Sequence, residues 1–551
     1  MTAFIPKGMF ARTKGVFERA VDEKPLLVCL LCAVVLSLPG LNWGVNECWN
    51  VDQMGHLKLK NFYMPEHYLK PPLHTYMNHL LVLGPFKQIM GGWFHIPKEN
   101  QWQALLLGSR LLTLAMFCGF LSSLYYAVRV ASSRSAAFVV CLILATSAGI
   151  LVFNRYLTAD APLLFWMGMS FAFAIRAALT GSTGHAVATG LLAGLAGADK
   201  YNGLAVAAAI PAMLVVAQGW RFVKTPAPWL AGLAVPVGFV IGNPGCILDN
   251  KRFVEDFLYN SITTPVYDGS TLGTGYLKFL LCFPEIIGWP ATIALVLLLV
   301  AAGVNAIGGG FSRAEWTLAA GAAAVFVLYF GVIGKFPRMG TRFVLPSVPF
   351  VLMLAVPVLR QIDWRRVFPS AILSLVLLYN VYSSIDVGLR FVGDPRMKAL
   401  TWVSTNVPPG AMLENSYAPD WRRIAGKKYR VQVMPAATGR ASLFAKIFPA
   451  NQSIRTGVER FETKYDQTTF TAEGLKSRNP DYVAFSEHVF DWSGHADAQR
   501  FYAALDREEL GYSKVFEKRS RPPWPLTYPR HIGFLVDRML IFQRATAPTS
   551  K

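Results

Sequence analysis

Residues 158–180 read TADAPLLFWMGMSFAFAIRAALT. After Asp160 no charged side chain occurs until Arg176, and an apolar stretch of about 20 residues is what a helix needs to cross a bilayer. The two charges also orient it, because Lys and Arg gather in loops that face the cytoplasm. The stretch therefore predicts a transmembrane helix that starts on the outer side at Asp160 and ends inside at Arg176.

Comparable stretches lie at 25–43, 103–131, 135–153, 160–179, 184–199, 202–220, 226–243, 276–302, 314–334, 343–360 and 368–390. Asp199 and Lys200 interrupt the pair at 184–220. The basic start (Lys7, Arg12, Lys14, Arg19) runs into the first stretch without a small-residue cleavage site, so that stretch reads as a span and not as a cleaved signal. With the N-terminus inside, the cytoplasmic loops hold Arg129 and Arg134, Arg176, Arg221 and Lys224, Arg313, then Arg360, Arg365 and Arg366. All are basic, as the positive-inside rule requires. An odd count of spans, about eleven, places everything after residue 390 outside. The expected setting is a bacterial inner membrane crossed many times, with a cytoplasmic N-terminus and a periplasmic or otherwise extracytoplasmic C-terminal domain.

Composition supports this. Of 551 residues, 53% are hydrophobic and 16% charged, against roughly a quarter charged in soluble domains. The formal charge of +20 is explained by the cytoplasmic loops and implies no nucleic-acid partner; membrane lipids are the expected surroundings. Seven cysteines show no metal-binding spacing. Cys48 and Cys246 fall in loops on the same outer side, where a disulfide is one option if that side is oxidising.

The predicted architecture is a polytopic α-helical membrane domain, 1–390, followed by a soluble α/β domain, 391–551. Two outer loops are long. The first, 44–102, contains an apolar, helix-compatible run from Leu73 to Met90, interrupted by His74, Asn78, His79 and Lys87, which fits a helix lying along the membrane surface. The second, 244–275, is rich in Gly, Thr and Asp and reads as a mobile segment, either a lid or a plain connector. Beyond residue 390, Asp394 to Trp402 reads as a helix, Pro408-Pro409-Gly410 as a turn, and Tyr482 to Phe485 and Ile532 to Val536 as strands.

Charged residues next to spans are costly unless they are used, and here they collect at the outer ends. The first outer loop has Glu47, Asp52, His56 and Lys70, the last within Leu69-Lys70-Pro71-Pro72-Leu73. Arg110 follows near the outer end of the second span, Asp160 opens the fourth, Asp199-Lys200-Tyr201 separates the fifth and sixth, and Lys335, Arg338 and Arg342 precede the tenth.

These pieces resemble the type C (GT-C) superfamily of integral-membrane glycosyltransferases, in the branch of the protein O-mannosyltransferases and the lipid A aminoarabinose transferase. The resemblance rests on Asn50-Val51-Asp52-Gln53, Lys70-Pro71-Pro72-Leu73, Thr158-Ala159-Asp160-Ala161-Pro162-Leu163, Asp199-Lys200-Tyr201-Asn202-Gly203, Asn243-Pro244 and Arg342-Phe343-Val344-Leu345-Pro346. In the outer domain, Ala399-Leu400-Thr401-Trp402 and Asn479-Pro480-Asp481-Tyr482-Val483 extend it. Each fragment is weak alone; their order and common side make the set specific. There are departures. Gln53 and Leu69 stand where relatives carry acidic residues, so a divalent cation is a doubtful cofactor, and Phe343 replaces a tyrosine.

The implied activity is transfer of a sugar, hexose or pentose, from a polyprenyl-phosphate-linked donor to an acceptor hydroxyl on the outer side, with inversion, in building an envelope glycan, lipid or glycoprotein. Such a reaction needs a carboxylate to take the hydroxyl proton and cations to receive the leaving phosphate. Asp52 is assigned as base, the alternative being an anchor of the first loop. Lys70 is assigned to the donor phosphate, against a lysine that only snorkels. Asp160 either orients the acceptor, holds a phosphate-binding cation, or simply caps its helix. Lys200 and Arg342 are further phosphate ligands, or ion-pair partners of nearby carboxylates such as Asp199. Arg110 is a fourth phosphate candidate, and Glu47, His56 and Arg338 are accessory. A transporter or flippase of a lipid-linked saccharide is the main competing reading, although such proteins place polar residues near the midplane; a catalytically silent scaffold is a third. Neither sugar nor acceptor is legible.

Overall fold

The computed structural model describes residues 23–45, 59–61, 64–65, 68, 70–85, 98–263, 275–336, 339–416, 430–434, 470–487, 496–529, 532–533 and 535–545. Each apolar stretch named above contains helix, although the first is helical only over Lys24–Ser37. Six helical segments are by themselves long and apolar enough to cross a membrane: Gln103–Ala131, Asp160–Thr180, Tyr201–Lys224, Trp289–Ile307, Arg313–Ile333 and Val367–Asn406. A bent pair, Arg134–Thr146 with Ala148–Arg155, makes a seventh. Lys24–Ser37, Pro226–Gly242 and Thr341–Leu354 are apolar but shorter. The protein is a multi-pass membrane protein with a C-terminal α/β region.

Two local features place the polar end of the spans. In the first, the Arg134–Thr146 helix breaks at Ser147, whose backbone is extended, and the chain turns by 59°. A broken helix exposes carbonyls that need new donors; the Ser384 hydroxyl supplies one to Thr146 at 2.7 Å. The bend delivers Phe153, Arg155 and Tyr156. Arg155 is fully buried and donates to the Leu36, Pro39 and Leu151 carbonyls, closing the C-terminal end of the first helix.

The second feature is the close pairing of Thr183–Asp199 with Pro226–Gly242. A Cβ on Gly194 would lie 2.1 Å from the Val235 carbonyl oxygen, and one on Gly238 2.1 Å from that of Leu191. Only glycine permits such backbone contact, the small-residue packing expected between helices in lipid. It continues to the end of the pair, where Gly242 abuts Ala198, and so fixes where Asp199 and Lys200 emerge.

Two strands of the first long loop, β1 (Leu59–Asn61) and β2 (Met64–Pro65), pair antiparallel. Leu73–Asn78 is helical, followed by a π turn at His79–Leu83. In the second long loop, expected as a mobile lid or connector, Asn250–Thr263 is a helix. Phe253 and Phe257, four apart and thus on one face, pack against Tyr201, and that apolar stripe outweighs the polar composition of the segment.

The C-terminal region is a mixed five-stranded sheet of β3 (Met412–Ser416), β4 (Arg430–Met434), β5 (Tyr482–Ser486), β6 (Tyr512–Arg519) and β7 (Arg538–Arg544) in the order β4-β3-β5-β7-β6. β3 runs parallel to β4 and β5, while β7 is antiparallel to β5 and β6. Alternate residues serve opposite faces. Val483, Phe485, Leu540 and Phe542 meet Leu475, Phe501, Tyr502 and Leu505 of the Ala472–Arg478 and Ala496–Asp506 helices. Tyr482, Ala484, Met539 and Ile541 face the core shared with Ala399, Leu400 and Val403 of Pro395–Asn406. The expected strand at Ile532 to Val536 is corrected: the strand begins at Arg538. Ile532 and Leu535 instead join the core continuous with the membrane helices, and Gly533 gives its carbonyl to the Tyr156 hydroxyl at 2.6 Å.

At one edge of this sheet Arg538 bridges Asp506 at 2.8 Å and Glu517 at 2.8 Å, and Lys514 bridges the same two carboxylates. Burial would raise the Asp506 carboxyl, but hydrogen bonds from Lys514 and Arg538 outweigh it and hold it below its ordinary value. The Arg538 hydrogen bond, opposed by burial and helped by Lys514 and Arg519, brings Glu517 down to about 2. Carboxyls depressed in the folded state stabilise it above their unfolded value, and that contribution is lost as pH falls through the folded one. Thermal unfolding of the full-length protein should therefore shift downward between about pH 4.5 and pH 2, and Arg538→Gln should flatten that dependence.

Candidate functional site

Asp160 is the first residue of its helix and has no solvent exposure. Its carboxylate takes Lys200 Nζ on Oδ1 at 2.8 Å and Arg342 Nε on Oδ2 at 2.7 Å. Both cations keep about a fifth to a quarter of their side-chain surface open. A buried carboxylate is tolerable only when so paired, and removing one partner of such a pair costs on the order of 3–5 kcal/mol. The trio has one more cation than carboxylate, and its open side is cationic. It is suited to an anion that can share the two donors with Asp160.

The residues around Lys200 explain how it is aimed. Lys200 is extended, at the C-terminal end of Thr183–Asp199, and its ammonium stands 6.0 Å from the centre of the Phe343 ring, a cation–π distance. Asn202 Nδ2 donates to the Tyr329 hydroxyl at 2.6 Å, which donates to the Phe343 carbonyl at 2.7 Å; the backbone beside Arg342 is thereby tied to the backbone beside Lys200. A Cβ on Gly203 would sit 2.5 Å from the Ala196 carbonyl oxygen, so glycine is required there. Asp199 is buried, and neither carboxylate oxygen has a hydrogen-bond partner among the described residues.

Tyr201 reaches the other way. Its hydroxyl donates to the Tyr68 carbonyl at 2.7 Å, and the Tyr68 N–H donates to Asp256 Oδ2 at 2.7 Å. The helix of the second long loop and the start of the sixth stretch thus hold both backbone groups of Tyr68, two residues before Lys70. Lys70 is half-buried and is followed by Pro71 and Pro72, which lead into Leu73–Asn78. On that helix His74 is fully buried; burial pushes its imidazole down to about 3 against the opposing pull of Asp160, so it is neutral. Asn78 Nδ2 donates to the His74 carbonyl at 2.9 Å and lies 3.1 Å from its Nε2.

Asp160, Lys200 and Arg342 are thus in direct contact, and the ion-pair partner of both cations is Asp160 and not Asp199. Arg110 is fully buried and donates to the Leu41 carbonyl at 2.6 Å, supporting the turn after the first helix. Glu47, Asp52, His56 and Arg338 lie outside the described residues, as does Cys48. Among the described residues no three His, Cys, Asp or Glu side chains converge as a metal site. Tyr201, Asn202, Tyr329 and Asp256 carried no role in the sequence reading, although two of them stand within Asp199-Lys200-Tyr201-Asn202-Gly203. Arg155, a lone arginine in an apolar run, carries the same kind of signal in the sequence.

Residues 88–241 match the family model described as dolichyl-phosphate-mannose-protein mannosyltransferase. No curated protein matches the sequence significantly. Among solved structures, ArnT from Cupriavidus metallidurans in the apo state superposes with a TM-score of 0.51 at 13% identity, covering 94% of this chain and 97% of that one. The oligosaccharyltransferase AglB from Archaeoglobus fulgidus, in complex with an inhibitory peptide and a dolichol-phosphate, gives 0.46 at 12% identity, over 91% and 73%. The arabinofuranosyltransferase AftD from Mycobacteria gives 0.42 at 12%, over 94% and 40%.

Tyr201→Phe removes the hydroxyl that holds the Tyr68 carbonyl and should cost about 0.5–1.5 kcal/mol of stability. Thermal unfolding of the full-length variant checks this; a melting temperature equal to the wild type's would contradict it.

Proposed function

The chain has the fold of the type C (GT-C) membrane glycosyltransferases, and from that premise we propose that it transfers a sugar from a polyprenyl-phosphate carrier to an acceptor hydroxyl on the extracytoplasmic side. The observation that carries the proposal is the buried Asp160 carboxylate holding two partly open cations, Lys200 and Arg342, at the end of the spans. A phosphate that gains negative charge as its sugar departs needs such donors, placed beforehand in a site of restricted solvation.

In this reading Asp52 accepts the proton of the acceptor hydroxyl. The hydroxyl oxygen forms a bond to the anomeric carbon, the bond from that carbon to the phosphate oxygen breaks, and its electron pair leaves on the polyprenyl phosphate. One displacement inverts the anomeric centre. Lys70, Lys200 and Arg342 receive the phosphate, and Asp160 keeps the latter two from dispersing between turnovers. The departing lipid phosphate gains charge in the transition state, so contacts to it lower the barrier more than they tighten ground-state binding. No step is assigned to a metal ion, and Gln53 and Leu69 offer it no carboxylate. Sugar and acceptor belong to classes and not to named molecules: a lipid-linked hexose or pentose, and an envelope glycan, lipid or protein.

Asp52→Asn should lower transfer by about 10²–10⁴-fold, the usual worth of a general base, while undecaprenyl phosphate binding stays at the wild-type level. Envelope glycans compared by mass spectrometry in cells carrying the wild type or the variant provide the measurement. Undiminished glycan modification by the variant would refute the assignment.

A further inference from the structure

Between β6 and β7 the chain leaves the sheet and meets the membrane helices at Trp524-Pro525-Leu526-Thr527. The Thr527 N–H donates to the Trp524 carbonyl at 3.2 Å, which closes a tight turn. Proline stands at its second position, and its third, Leu526, has a φ of +63°; a turn of this kind usually has glycine or asparagine there. Leucine in that left-handed backbone conformation is strained, and 74% of its surface is open. A strained position that presents a large apolar side chain outward points to a role for that side chain.

The helix Val367–Val392 holds the turn. The Tyr379 hydroxyl donates to the Leu526 carbonyl at 2.6 Å and the Tyr382 hydroxyl to that of Pro525 at 3.2 Å. The Trp524 N–H and the Thr527 hydroxyl each donate to the buried Asp386 carboxylate at 3.2 Å, and Trp524 stacks on Tyr382 with ring centres 4.8 Å apart. Tyr382 belongs to a row at helical spacing, Leu375, Leu378, Tyr382 and Ile385, all of them exposed. On a helix long and apolar enough to cross a membrane, such a row faces lipid. The turn also lies at the start of Trp289–Ile307, the least buried of the six long apolar helices: Tyr528 packs edge-on against Trp289 with ring centres 6.2 Å apart, and a Cβ on Gly288 would lie 2.7 Å from the Tyr379 ring. Trp289, Tyr379, Tyr382, Trp524 and Tyr528 thus gather around the turn where a span begins. Trp and Tyr concentrate where spans leave the hydrocarbon.

We propose that the Trp524–Thr527 turn is a membrane wedge: Leu526 enters the leaflet that the C-terminal region faces and packs among phospholipid chains, with the surrounding aromatic rings at head-group level. The lipid-facing row of Val367–Val392 continues into Leu526, so the occupant of this surface is the bilayer that surrounds the helices. In water, glycine or asparagine would serve the turn better. Leucine offsets its strained backbone only where its side chain leaves water. The wedge ties the C-terminal region to lipid as well as to the spans.

Photo-crosslinking tests this. With p-benzoylphenylalanine at position 526, the full-length protein illuminated in nanodiscs of phosphatidylethanolamine and phosphatidylglycerol should gain the mass of one phospholipid. The same group at position 500, in place of Arg500 on the Ala496–Asp506 helix that covers the sheet face turned away from the membrane core, should gain none. No lipid adduct at 526, a crosslinked protein dimer in its place, or equal lipid labelling at 500 would overturn the proposal. Leu526→Asn, which suits the left-handed backbone better than leucine, should nevertheless lower the melting temperature in the same nanodiscs by about 2 °C or more. An equal or higher melting temperature would also overturn it.

Discussion

A carboxylate with no solvent exposure at the start of a transmembrane helix can stay charged only if cations come to it, and much of the geometry near Asp160 serves that end. Lys200 is brought by the tight glycine-lined pairing of Thr183–Asp199 with Pro226–Gly242. Arg342 is brought by the turn before Val344, whose backbone Tyr329 and Asn202 hold in place. The same residues that satisfy Asp160 are thereby kept partly open and pre-positioned. That is the condition under which cations stabilise charge developing on a bound phosphate without first reorganising.

The same logic governs the junction with the α/β region. Asp386, Arg390, Tyr379 and Tyr382 line up on Val367–Val392 and hold the backbone of Trp524, Pro525, Leu526 and Pro529, while Trp43 donates to Asp394 at 2.8 Å, itself paired with Arg396. Asp394, Arg396 and Asp386 are buried, so the two parts meet through polar groups that water no longer serves. Such contacts are costly to break singly. They tie the C-terminal region to the Val367–Val392 helix and to the turn after the first helix.

The apolar helices were legible because hydrophobic length is a one-dimensional signal; of the roughly eleven expected spans, six helices and one bent pair have the length and composition to cross a membrane. The expectation that Asp160, Lys200 and Arg342 stand at the same end of the helices followed from them. Their direct contact did not, since it depends on two glycine-mediated helix contacts and a turn far away in sequence. Tyr201 stands in the sequence only as a member of Asp199-Lys200-Tyr201-Asn202-Gly203, and only the fold shows its hydroxyl on the Tyr68 carbonyl. The Asn250–Thr263 helix was hidden by its polar residues, because its burial stripe is confined to a few aromatics. Ile532 to Val536 has strand-like composition, but docking on Tyr156 and the membrane core competes with sheet pairing there and wins.

The central claim is that Lys200 and Arg342, tethered by Asp160, receive a lipid phosphate. A cryo-electron microscopy structure of the full-length protein with undecaprenyl phosphate bound tests it most directly. The account predicts phosphate oxygens within about 2.7–3.2 Å of Lys200 Nζ and the Arg342 guanidinium, with Asp160 still paired to both. A phosphate bound elsewhere, leaving the two cations engaged with Asp160 alone, would contradict it.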